Sequence, residues 1–365
     1  MDLARNFTLH PALYPASFLY GLGVRLRNQL FDWGWLKSTS FQVPVICVGN
    51  LSAGGTGKTP HIEYLIRTLM GRYRVAVISR GYKRKTKGFL LATSESTSSD
   101  IGDEPYQIKF KYPQVTVAVD ADRCRAINKL LALPKTERPE VILLDDALQH
   151  RYVSPSLTIL LTDSNRMYCF DKLLPAGRLR EPIVGANRAS VVIVTKCDTA
   201  INPMDCRVVE VNLDLYPYQS LYFTAIRYAQ VTPLFNQQAS YSLSDAKHRS
   251  SYLLVTGIAN PTPLIAEVNR YAKAVEVLNF SDHYMFQKKD FNQIAESLKK
   301  MAAADKRILV TEKDAARLIS NPHLPEELKP FIYYIPIEIN FLTNKQTDFE
   351  RMILNHVAQF NKNRS

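Results

Sequence analysis

Residues 45–60, which read VICVGNLSAGGTGKTP, constrain the fold more than any other part of the chain. An apolar, β-branched run comes first, a glycine-rich turn follows, and a helical pattern begins at His61. This order predicts a strand, a loop and a helix, in which successive backbone N–H groups can surround phosphate oxygens. The segment therefore predicts a nucleotide-binding loop rather than an ordinary turn between a strand and a helix.

Individual residues of this loop have predictable roles. Glycines at positions 54, 55 and 57 let the backbone approach phosphates closely. Lys58 can reach the β- and γ-phosphates, and the Thr59 hydroxyl can bind Mg²⁺. The usual pattern, G-x-x-x-x-G-K-[ST], begins with glycine, whereas Ser52 stands at that position here. The predicted nucleotide-binding residues are Ser52, Ala53, Gly54, Gly55, Thr56, Gly57, Lys58 and Thr59.

A second informative run is residues 141–146, which read VILLDD. Four apolar residues followed by acid are typical of a buried parallel strand that ends in a carboxylate. In a P-loop protein such an aspartate binds Mg²⁺ directly or through water. Adjacent aspartates repel each other unless a cation or a basic group is near, which favours a metal role over a capped surface turn. The sequence does not decide which of Asp145 and Asp146 contacts the metal.

Three other places combine polar residues with a predicted strand end or helix start. The basic segment 80–85 follows the predicted strand 74–79, at the edge where open α/β sheets place ligands, so it could bind a phosphate or be a solvated loop. Asp103 lies near a predicted helix start, where a helix N-cap is its ordinary role. His150 could make either a structural hydrogen bond or a functional contact.

Composition limits the class of protein and its partners. The 365 residues are 46% hydrophobic and 22% charged, as expected for a globular chain long enough for two domains. Five scattered cysteines without a C-x-x-C pair favour a reducing compartment over a disulfide framework or a zinc site. The net charge of +12 suggests an anionic partner, which could be a nucleotide, a nucleic acid or a membrane surface.

Residues 11–36 form an unusual segment for a nucleotide-binding protein. Their apolar run, 12–24, is shorter than the roughly twenty helical residues that cross a bilayer, and it contains Pro15, Gly21 and Gly23. Arginines then alternate with leucine, phenylalanine and tryptophan. This pattern suits an amphipathic helix lying in a membrane interface, and it equally suits a helix packed on the protein core.

The order of predicted strands and helices indicates an α/β fold with two units. The polar segment 237–251 marks a boundary, and a second α/β series begins at residue 252. We predict an amphipathic N-terminal membrane-interface segment (1–40), a P-loop NTPase-like parallel-sheet core (41–235) and a smaller C-terminal α/β domain (236–365).

As a set, the motifs closely resemble those of the tetraacyldisaccharide 4′-kinase family. In order they are GNLSAGGTGKTP, SRGY, GDEP, DDALQHR, LPAGRLREP, VTGIANP, FSDHY and VTEKDAARL, spread from about residue 10 to residue 340. That family usually has Thr or Ser at the position of Ser52. It has D-D-G-F where this chain has DDAL, and it often has D-H-H where this chain has DHY, so only the first histidine, His283, corresponds.

The resemblance implies an activity. Enzymes of that family use ATP to phosphorylate a lipid A precursor at the bacterial inner membrane, so the implied reaction transfers the γ-phosphate of ATP to the 4′-hydroxyl of a tetraacyldisaccharide 1-phosphate. ATP and Mg²⁺ are the implied cofactors, and an acylated disaccharide lipid is the implied substrate. A lipid substrate also favours the membrane-interface interpretation of residues 11–36, with peripheral or monotopic attachment at the cytoplasmic face, where ATP is available.

The resemblance also implies residue roles. Asp103 would be the catalytic base that takes the proton of the sugar 4′-hydroxyl, and His283, from the second domain, would orient it. Lys58 would stabilise the charge of the γ-phosphate, with Asp146 also in the catalytic group. Magnesium would be held by Thr59, Asp145 and Glu181. Candidates for contacts with the lipid substrate are Arg80, Arg84, Arg123, His150 and Arg180.

Two other functions are compatible with parts of the sequence. One is a membrane-docked P-loop regulatory ATPase, which would hydrolyse ATP without lipid and would tolerate loss of Asp103. The other is a nucleic-acid-binding NTPase, suggested by the net charge of +12. Because the basic residues do not interleave with aromatics as in known RNA-binding modules, we predict no nucleic-acid partner.

Overall fold

The structure is a computed structural model that describes residues 9–236, 238–245, 249–282, 284–301 and 305–362. Its strands are β1 (Val45–Asn50), β2 (Val75–Ser79), β3 (Leu90–Leu91), β4 (Thr116–Val119), β5 (Val141–Asp145), β6 (Leu157–Asp163), β7 (Val191–Thr195), β8 (Ser220–Tyr228), β9 (Thr232–Pro233), β10 (Ser251–Thr256), β11 (Ala274–Asn279), β12 (Lys306–Thr311), β13 (Ile332–Ile335) and β14 (Ile337–Phe341). Its α-helices are α1 (Tyr14–Asp32), α2 (Lys58–Leu69), α3 (Ser98–Ile101), α4 (Asp103–Lys111), α5 (Arg123–Leu131), α6 (Pro203–Leu213), α7 (Thr262–Tyr271), α8 (Lys288–Lys300), α9 (Glu312–Ile319) and α10 (Gln346–Lys362). Short 3₁₀ helices lie at Pro11–Leu13, Tyr168–Phe170, Ile183–Arg188 and Glu326–Phe331.

The larger of two sheets carries the glycine-rich loop. Within the described residues it has nine strands, in the order β14-β8-β7-β6-β1-β5-β2-β4-β3. The strands from β8 to β4 are parallel to their neighbours, and β14 and β3 are antiparallel at the two edges. Strands β1, β2, β5 and β7 are buried along their whole length, as continuous apolar runs predict. The predicted parallel-sheet core is confirmed.

Helices cover both faces of this sheet because alternate side chains of each strand point to opposite sides. Ile46 and Val48 of β1 pack in one core layer with α2 and α10. Val45 and Cys47 of the same strand pack in the opposite layer with α5. The two layers fix the direction of β1, and therefore place the loop after Asn50 at the carboxyl edge of the sheet.

The smaller sheet forms a second unit. Within the described residues it has five strands, in the order β11-β10-β12-β13-β9, with only β9 antiparallel to its neighbour. Helices α7, α8 and α9 pack on its two faces. We call the larger sheet with its helices the first lobe, and the smaller sheet with α7, α8 and α9 the second lobe.

The chain returns to the first lobe after it has completed the second. Strand β14 pairs with β8, and α10 packs in the same core layer as α2. The sequence patterns did not predict β8, β13, β14, α6 or α9 as separate elements. The predicted boundary at residue 236 stays a prediction, and the observed pairing places residues 337–362 beside the larger sheet.

Helix α1 lies over loops at the carboxyl edge of the larger sheet. The Ser17 hydroxyl donates to the Leu173 carbonyl at 3.0 Å, and the Arg27 guanidinium donates to the Gln149 carbonyl at 3.2 Å. Its opposite side is apolar and exposed at Phe18, Leu19, Leu22 and Leu26. None of the helices in the described part of the chain is long and apolar enough to cross a membrane.

Candidate active site

The glycine-rich loop connects β1 to α2 with the geometry of a phosphate-binding loop. Gly54 and Gly57 have φ angles of +122° and +85°, which residues with a Cβ rarely adopt. Gly57 occupies the N-cap position of α2, so the free N–H groups of the first helical turn face the loop. Lys58 and Thr59 are the first two residues of that helix. Local sequence therefore places positive potential and N–H donors around the centre of the loop.

Residues at the end of β7 hold the outer side of this loop. The Thr195 hydroxyl donates to the Thr56 carbonyl at 2.9 Å, and the Lys196 ammonium donates to the Gly55 carbonyl at 2.5 Å. Lys196 also pairs with Asp163 at 2.6 Å. Because C=O and N–H of a trans peptide point in opposite directions, fixing these carbonyls turns the next two N–H groups toward the inside of the loop. Thr195 and Lys196 had no predicted role, although polar residues that follow an apolar run (191–194) are a pattern that could indicate one.

His61 supports the same loop from α2. Its Nδ1 lies 2.7 Å from the Gly57 carbonyl, and its Nε2 lies 3.2 Å from the Thr224 hydroxyl. Burial lowers the pKa of His61 to about 4, so the ring is neutral at physiological pH. With its proton assigned to Nδ1, the ring donates to Gly57 and adds no charge beside the phosphate site. No sequence signal distinguished this histidine.

Asp145 ends β5 and Asp146 directly follows it, and the two residues lie in different environments. Asp145 is buried, and its Oδ2 accepts a hydrogen bond from the Ser79 hydroxyl at 3.2 Å. Burial, with further repulsion from Glu104 and Asp146, raises the pKa of Asp145 to about 7 despite the nearby Lys58. Asp146 has a left-handed φ of +48°, which turns its side chain away from that site.

Asp146 belongs to a charged cluster beside the loop. Arg180 donates both terminal nitrogens to its carboxylate, at 2.7 and 3.0 Å, and the Lys58 ammonium lies 3.7 Å from it. Burial opposes ionisation, but Lys58 and Arg180 outweigh it and hold the pKa of Asp146 below its ordinary value. Asn50 joins the cluster, since its side-chain oxygen accepts from both Lys58 and Arg180. The structure thus brings together three residues that the sequence analysis selected separately.

Glu181 is buried next to this cluster, and both of its oxygens accept hydrogen bonds. Gln149 donates to Oε1 at 2.8 Å, and Arg188 donates to Oε2 at 2.7 Å. Gln149 also donates to the Asn50 carbonyl at 2.9 Å, which links Glu181 to the end of β1. This arrangement favours an indirect role for Glu181 at a metal over direct coordination.

Arg123 contacts the aspartate pair from α5, and His150 is an electrostatic neighbour of Arg123. Arg123 is buried at the start of α5 and donates to the Asp146 carbonyl at 3.4 Å, and burial lowers its pKa. Burial and the charge of Arg123, with a further contribution from Arg80, lower the pKa of His150 to about 4. Among the described residues, Nε2 of His150 is buried without a hydrogen-bond partner. A neutral ring next to arginines is suited to donate to an anion.

Metal binding is the alternative role for His150. Its ring, the Asp122 carboxylate and the Cys124 thiol place ligand atoms within 4.8 Å of one another. However, the electrostatic neighbours of His150 include Arg27, Arg80 and Arg123, which make the local potential positive. This environment favours an anion over a cation.

The predicted substrate arginines 80 and 84 differ in their surroundings. Arg80 is exposed beyond the end of β2. Arg84 is partly buried and donates to the carbonyls of Val119 and Gly88 at 3.3 and 2.5 Å. Together with neighbouring residues they line an open cavity of about 410 Å³. Arg84 thus has a structural role in its own loop, whereas Arg80 faces solvent.

Asp103 is the first residue of α4, and Gly102 occupies the N-cap position without a side-chain cap. The helix-capping role that the sequence left open for Asp103 is therefore wrong. Its Oδ2 instead accepts two hydrogen bonds from Arg317 of α9, at 3.0 and 2.8 Å. The predicted partner His283 lies outside the described residues. Arg317 was not among the site residues predicted from the sequence.

The residues present fit a hard divalent cation beside the loop. Among the described residues, Oδ1 of Asp145 is buried without a hydrogen-bond partner. The Thr59 hydroxyl and this carboxylate are oxygen donors, the kind of ligand that Mg²⁺ prefers. Pairing with a cation would also relieve the raised pKa of Asp145.

A parallel sheet with a Gly-Lys-Thr loop between β1 and α2, and an aspartate pair ending the adjacent β5, defines a P-loop protein of the α/β class. The family model described as tetraacyldisaccharide-1-P 4′-kinase matches residues 9–358. The chain belongs to this family, which agrees with the resemblance in its motifs.

Individual relatives agree over nearly the whole chain. The tetraacyldisaccharide 4′-kinase of Parabacteroides distasonis is 53% identical over 352 residues, 96% of this chain and 95% of that protein. The one from Bacteroides thetaiotaomicron is 52% identical over 98% of this chain and 96% of that protein. The fold is similar to the crystal structure of the "apo" form of LpxK from Aquifex aeolicus in complex with ATP, with a TM-score of 0.72, 25% identity, and coverage of 95% of this chain and 98% of that one.

Proposed function

We propose that this protein transfers the γ-phosphate of ATP to the 4′-hydroxyl of a tetraacyldisaccharide 1-phosphate, a lipid A precursor. Family membership supports the reaction and the substrate class. The observation that carries the proposal is the cluster of Lys58, Asp146 and Arg180 beside a glycine-rich loop. The likeness to an LpxK structure solved with ATP supports ATP as the phosphate donor.

The P-loop binds the ATP phosphates in this proposal. N–H groups of residues 53–59 contact the phosphate oxygens, and Lys58 stabilises charge on the γ-phosphate. Asp146 and Asn50 hold the Lys58 ammonium, so that it does not have to reorganise during the reaction. Arg180, which donates to Asp146 and Asn50, adds positive charge beside the same loop.

Magnesium would be held by the Thr59 hydroxyl and the Asp145 carboxylate, with Asp146 and Glu181 in supporting positions. When bound, the ion neutralises charge on the β- and γ-phosphates. Asp145 stays fixed by the Ser79 hydroxyl, which orients the free oxygen. This assignment makes Asp145 the direct ligand of the two aspartates, because Asp146 is committed to Arg180 and Lys58.

Asp103 is the proposed base. It accepts the proton of the sugar 4′-hydroxyl as that oxygen attacks the γ-phosphorus and the bond to the leaving ADP breaks, and His283 orients the Asp103 carboxylate or shares the proton. A carboxylate is a weak base at neutral pH, since the ordinary pKa of aspartic acid is about 3.9. Phosphoryl transfer requires mainly correct positioning, because its transition state is loose. Arg80 and Arg123 supply the positive potential that a phosphorylated lipid needs, and the neutral ring of His150 can donate a hydrogen bond to the anion.

The exposed face of α1 is proposed to lie on the membrane. Phe18 and Leu19 are each 68% exposed, and Trp35 just beyond the helix is 78% exposed. Such a face buries apolar area in the acyl boundary and gives peripheral or monotopic attachment. We place this attachment at the cytoplasmic face of the inner membrane, where ATP is available.

Transfer of labelled γ-phosphate from ATP to a 1-phosphorylated, acylated glucosamine disaccharide in detergent micelles tests this function. Wild type should label the lipid, and Asp103→Ala should lose at least about 100-fold in rate. Asp348→Ala, at an exposed position of α10, is the matched control and should keep the activity. ATP turnover without labelled lipid in the wild type would instead identify a membrane-docked ATPase.

A further inference from the structure

We infer that Arg317 is a positioning residue for Asp103, supplied by the second lobe to a base carried by the first. This inference rests on the proposed function, because it takes Asp103 as the base. It concerns a contact between α4 and α9, which no sequence pattern predicted. Two hydrogen bonds, both to Oδ2 of Asp103, connect them at this point.

The geometry fixes the carboxylate in two ways. Nε and Nη2 of Arg317 donate to the same oxygen at 3.0 and 2.8 Å, so the planar guanidinium restrains both the position and the rotation of the Asp103 side chain. Asp103 is itself the first residue of α4, where the backbone is held by the helix. A base placed in this way satisfies the geometric requirement for proton transfer, in which small displacements are costly.

Arg317 is in turn held by its own lobe. Its side chain is only 1% exposed, and its Nη1 donates to Asp314 at 2.8 Å and to the Gly257 carbonyl at 3.2 Å. Asp314 is also buried, and it accepts from the Gly257 N–H at 3.0 Å and the Thr311 hydroxyl at 2.7 Å. The guanidinium therefore cannot move away from Asp103 without leaving buried polar groups unpaired. It reaches the base as a preorganised group.

A neighbouring ion pair provides a control that distinguishes positioning of Asp103 from general stabilisation of the interface between the lobes. Lys313, also on α9, pairs with Glu104 of α4 at 3.1 Å, and both side chains are about one-third exposed. This pair crosses the same interface one residue along α4, but the base belongs to the Arg317 pair. If only stabilisation of the interface mattered, substitution of Lys313 would lower activity as much as substitution of Arg317. Lys313→Ala is therefore the matched control.

The test measures kcat and KM for both substrates in the micelle assay, in the wild-type and the Asp103→Asn backgrounds. Arg317→Ala should lower kcat roughly 10- to 100-fold, with each KM within about threefold of wild type. Arg317→Lys should keep part of the kcat that Arg317→Ala loses, because lysine retains the positive charge but lacks the paired N–H donors of the guanidinium. Lys313→Ala should stay within about twofold of wild type. In the Asp103→Asn background, Arg317→Ala should change the residual rate by less than about threefold.

Three results would overturn the inference. One is an equal loss from Arg317→Ala in both backgrounds, which would make its effect independent of Asp103. Another is a change in lipid KM alone. The third is an increase in kcat, which would mean that the ion pair restrains the base. Melting temperature and ATP affinity show whether Arg317→Ala folds. If it does not fold, the inference is tested by comparing kcat of Arg317→Lys with that of wild type in the two backgrounds.

Failure of the proposed function would look different. In that case the wild-type protein would not label the lipid, or Asp103→Ala would label it as well as wild type does. The positioning role fails separately, when wild type labels lipid and needs Asp103 but kcat does not depend on Arg317.

Discussion

At the scale of single residues, two adjacent aspartates acquire different properties because the backbone turns between them. Asp145 completes β5 and stays buried against the Ser79 hydroxyl, so burial raises its pKa to about 7. Asp146 adopts a left-handed φ, which directs its carboxylate to Arg180. Burial therefore favours the protonated form of Asp145, which a bound cation would oppose, whereas Asp146 already has two cationic partners, Lys58 and Arg180. This difference is the basis for our proposal that Asp145 is the direct metal ligand.

Replacing Asp145 should change the metal dependence of the reaction. Asp145→Asn should raise the Mg²⁺ concentration for half-maximal activity at least about tenfold, whereas Asp146→Asn should shift it by less than about threefold while lowering kcat. Titration of Mg²⁺ in the lipid kinase assay measures both quantities. Equal shifts in the two variants would contradict the assignment, and a chelator should abolish activity in both.

Lys196 should affect ATP binding without touching the nucleotide in our proposal. Lys196→Met removes the hydrogen bond to the Gly55 carbonyl and the ion pair with Asp163. The loss of one charged hydrogen bond predicts a rise in the ATP dissociation constant of about tenfold. Calorimetric titration with ATP measures it, with Lys329→Met, in the 3₁₀ helix Glu326–Phe331, as the control. An unchanged dissociation constant would show that the loop holds its shape without Lys196.

At the scale of elements, α1 has two faces with different surroundings. Ser17 and Gly21 are buried one turn apart, and a Cβ at Gly21 would lie 2.7 Å from the Leu173 side chain. The opposite face leaves large apolar side chains in solvent, which a monomeric surface helix rarely does. The helix thus has one side adapted to the protein and one side adapted to an apolar environment.

Polar substitutions on the exposed face of α1 should weaken membrane binding. Leu19→Gln combined with Leu22→Gln should lower the fraction bound to anionic lipid vesicles by roughly tenfold or more, because both side chains lose apolar burial. ATP affinity should not change, since neither residue belongs to the hydrophobic core of the first lobe. Val208→Gln with Val211→Gln, an exposed apolar pair on α6, is the matched control. Equal losses in the two double variants would argue against α1 as the membrane contact.

At the scale of the whole molecule, a buried charge cluster connects helices of both lobes. The Lys111 ammonium of α4 lies 2.5 Å from Glu63 of α2 and 2.5 Å from Glu312 of α9. Two carboxylates share one lysine in a site with little solvent. Burial, with repulsion from Glu63, raises the pKa of Glu312 to about 7 despite Lys111. Protonation of Glu312 is therefore favoured in the folded protein.

Stability should depend on pH through this group. The folded pKa of Glu312 is about 7 and its ordinary value is 4.5, so the folded state binds more protons between these pH values. The free energy of unfolding should fall as pH rises from about 4.5 to about 7, by on the order of 1–3 kcal/mol from this group. Glu312→Gln should show a smaller fall. Denaturant unfolding at several pH values measures the difference, and parallel curves for the two proteins would contradict it.

The sequence by itself determined the local chemistry. Apolar runs predicted the parallel strands, and the order of strand, glycine turn and Gly-Lys-Thr predicted the phosphate loop, because these features depend on residues close together in the chain. Acid at the end of residues 141–146 predicted a carboxylate pair at the sheet edge. The motif set predicted the family, which the comparisons confirm.

Only the tertiary structure decided which distant groups meet. Arg317 reaches Asp103 across 214 residues of sequence, β14 returns to pair with β8, and Arg180 selects Asp146 over Asp145. Each outcome depends on how elements pack and on the buried volume between them, which no short pattern contains. The charge states of the two aspartates follow from that packing, since burial and neighbouring charges set a pKa and both are properties of the folded chain.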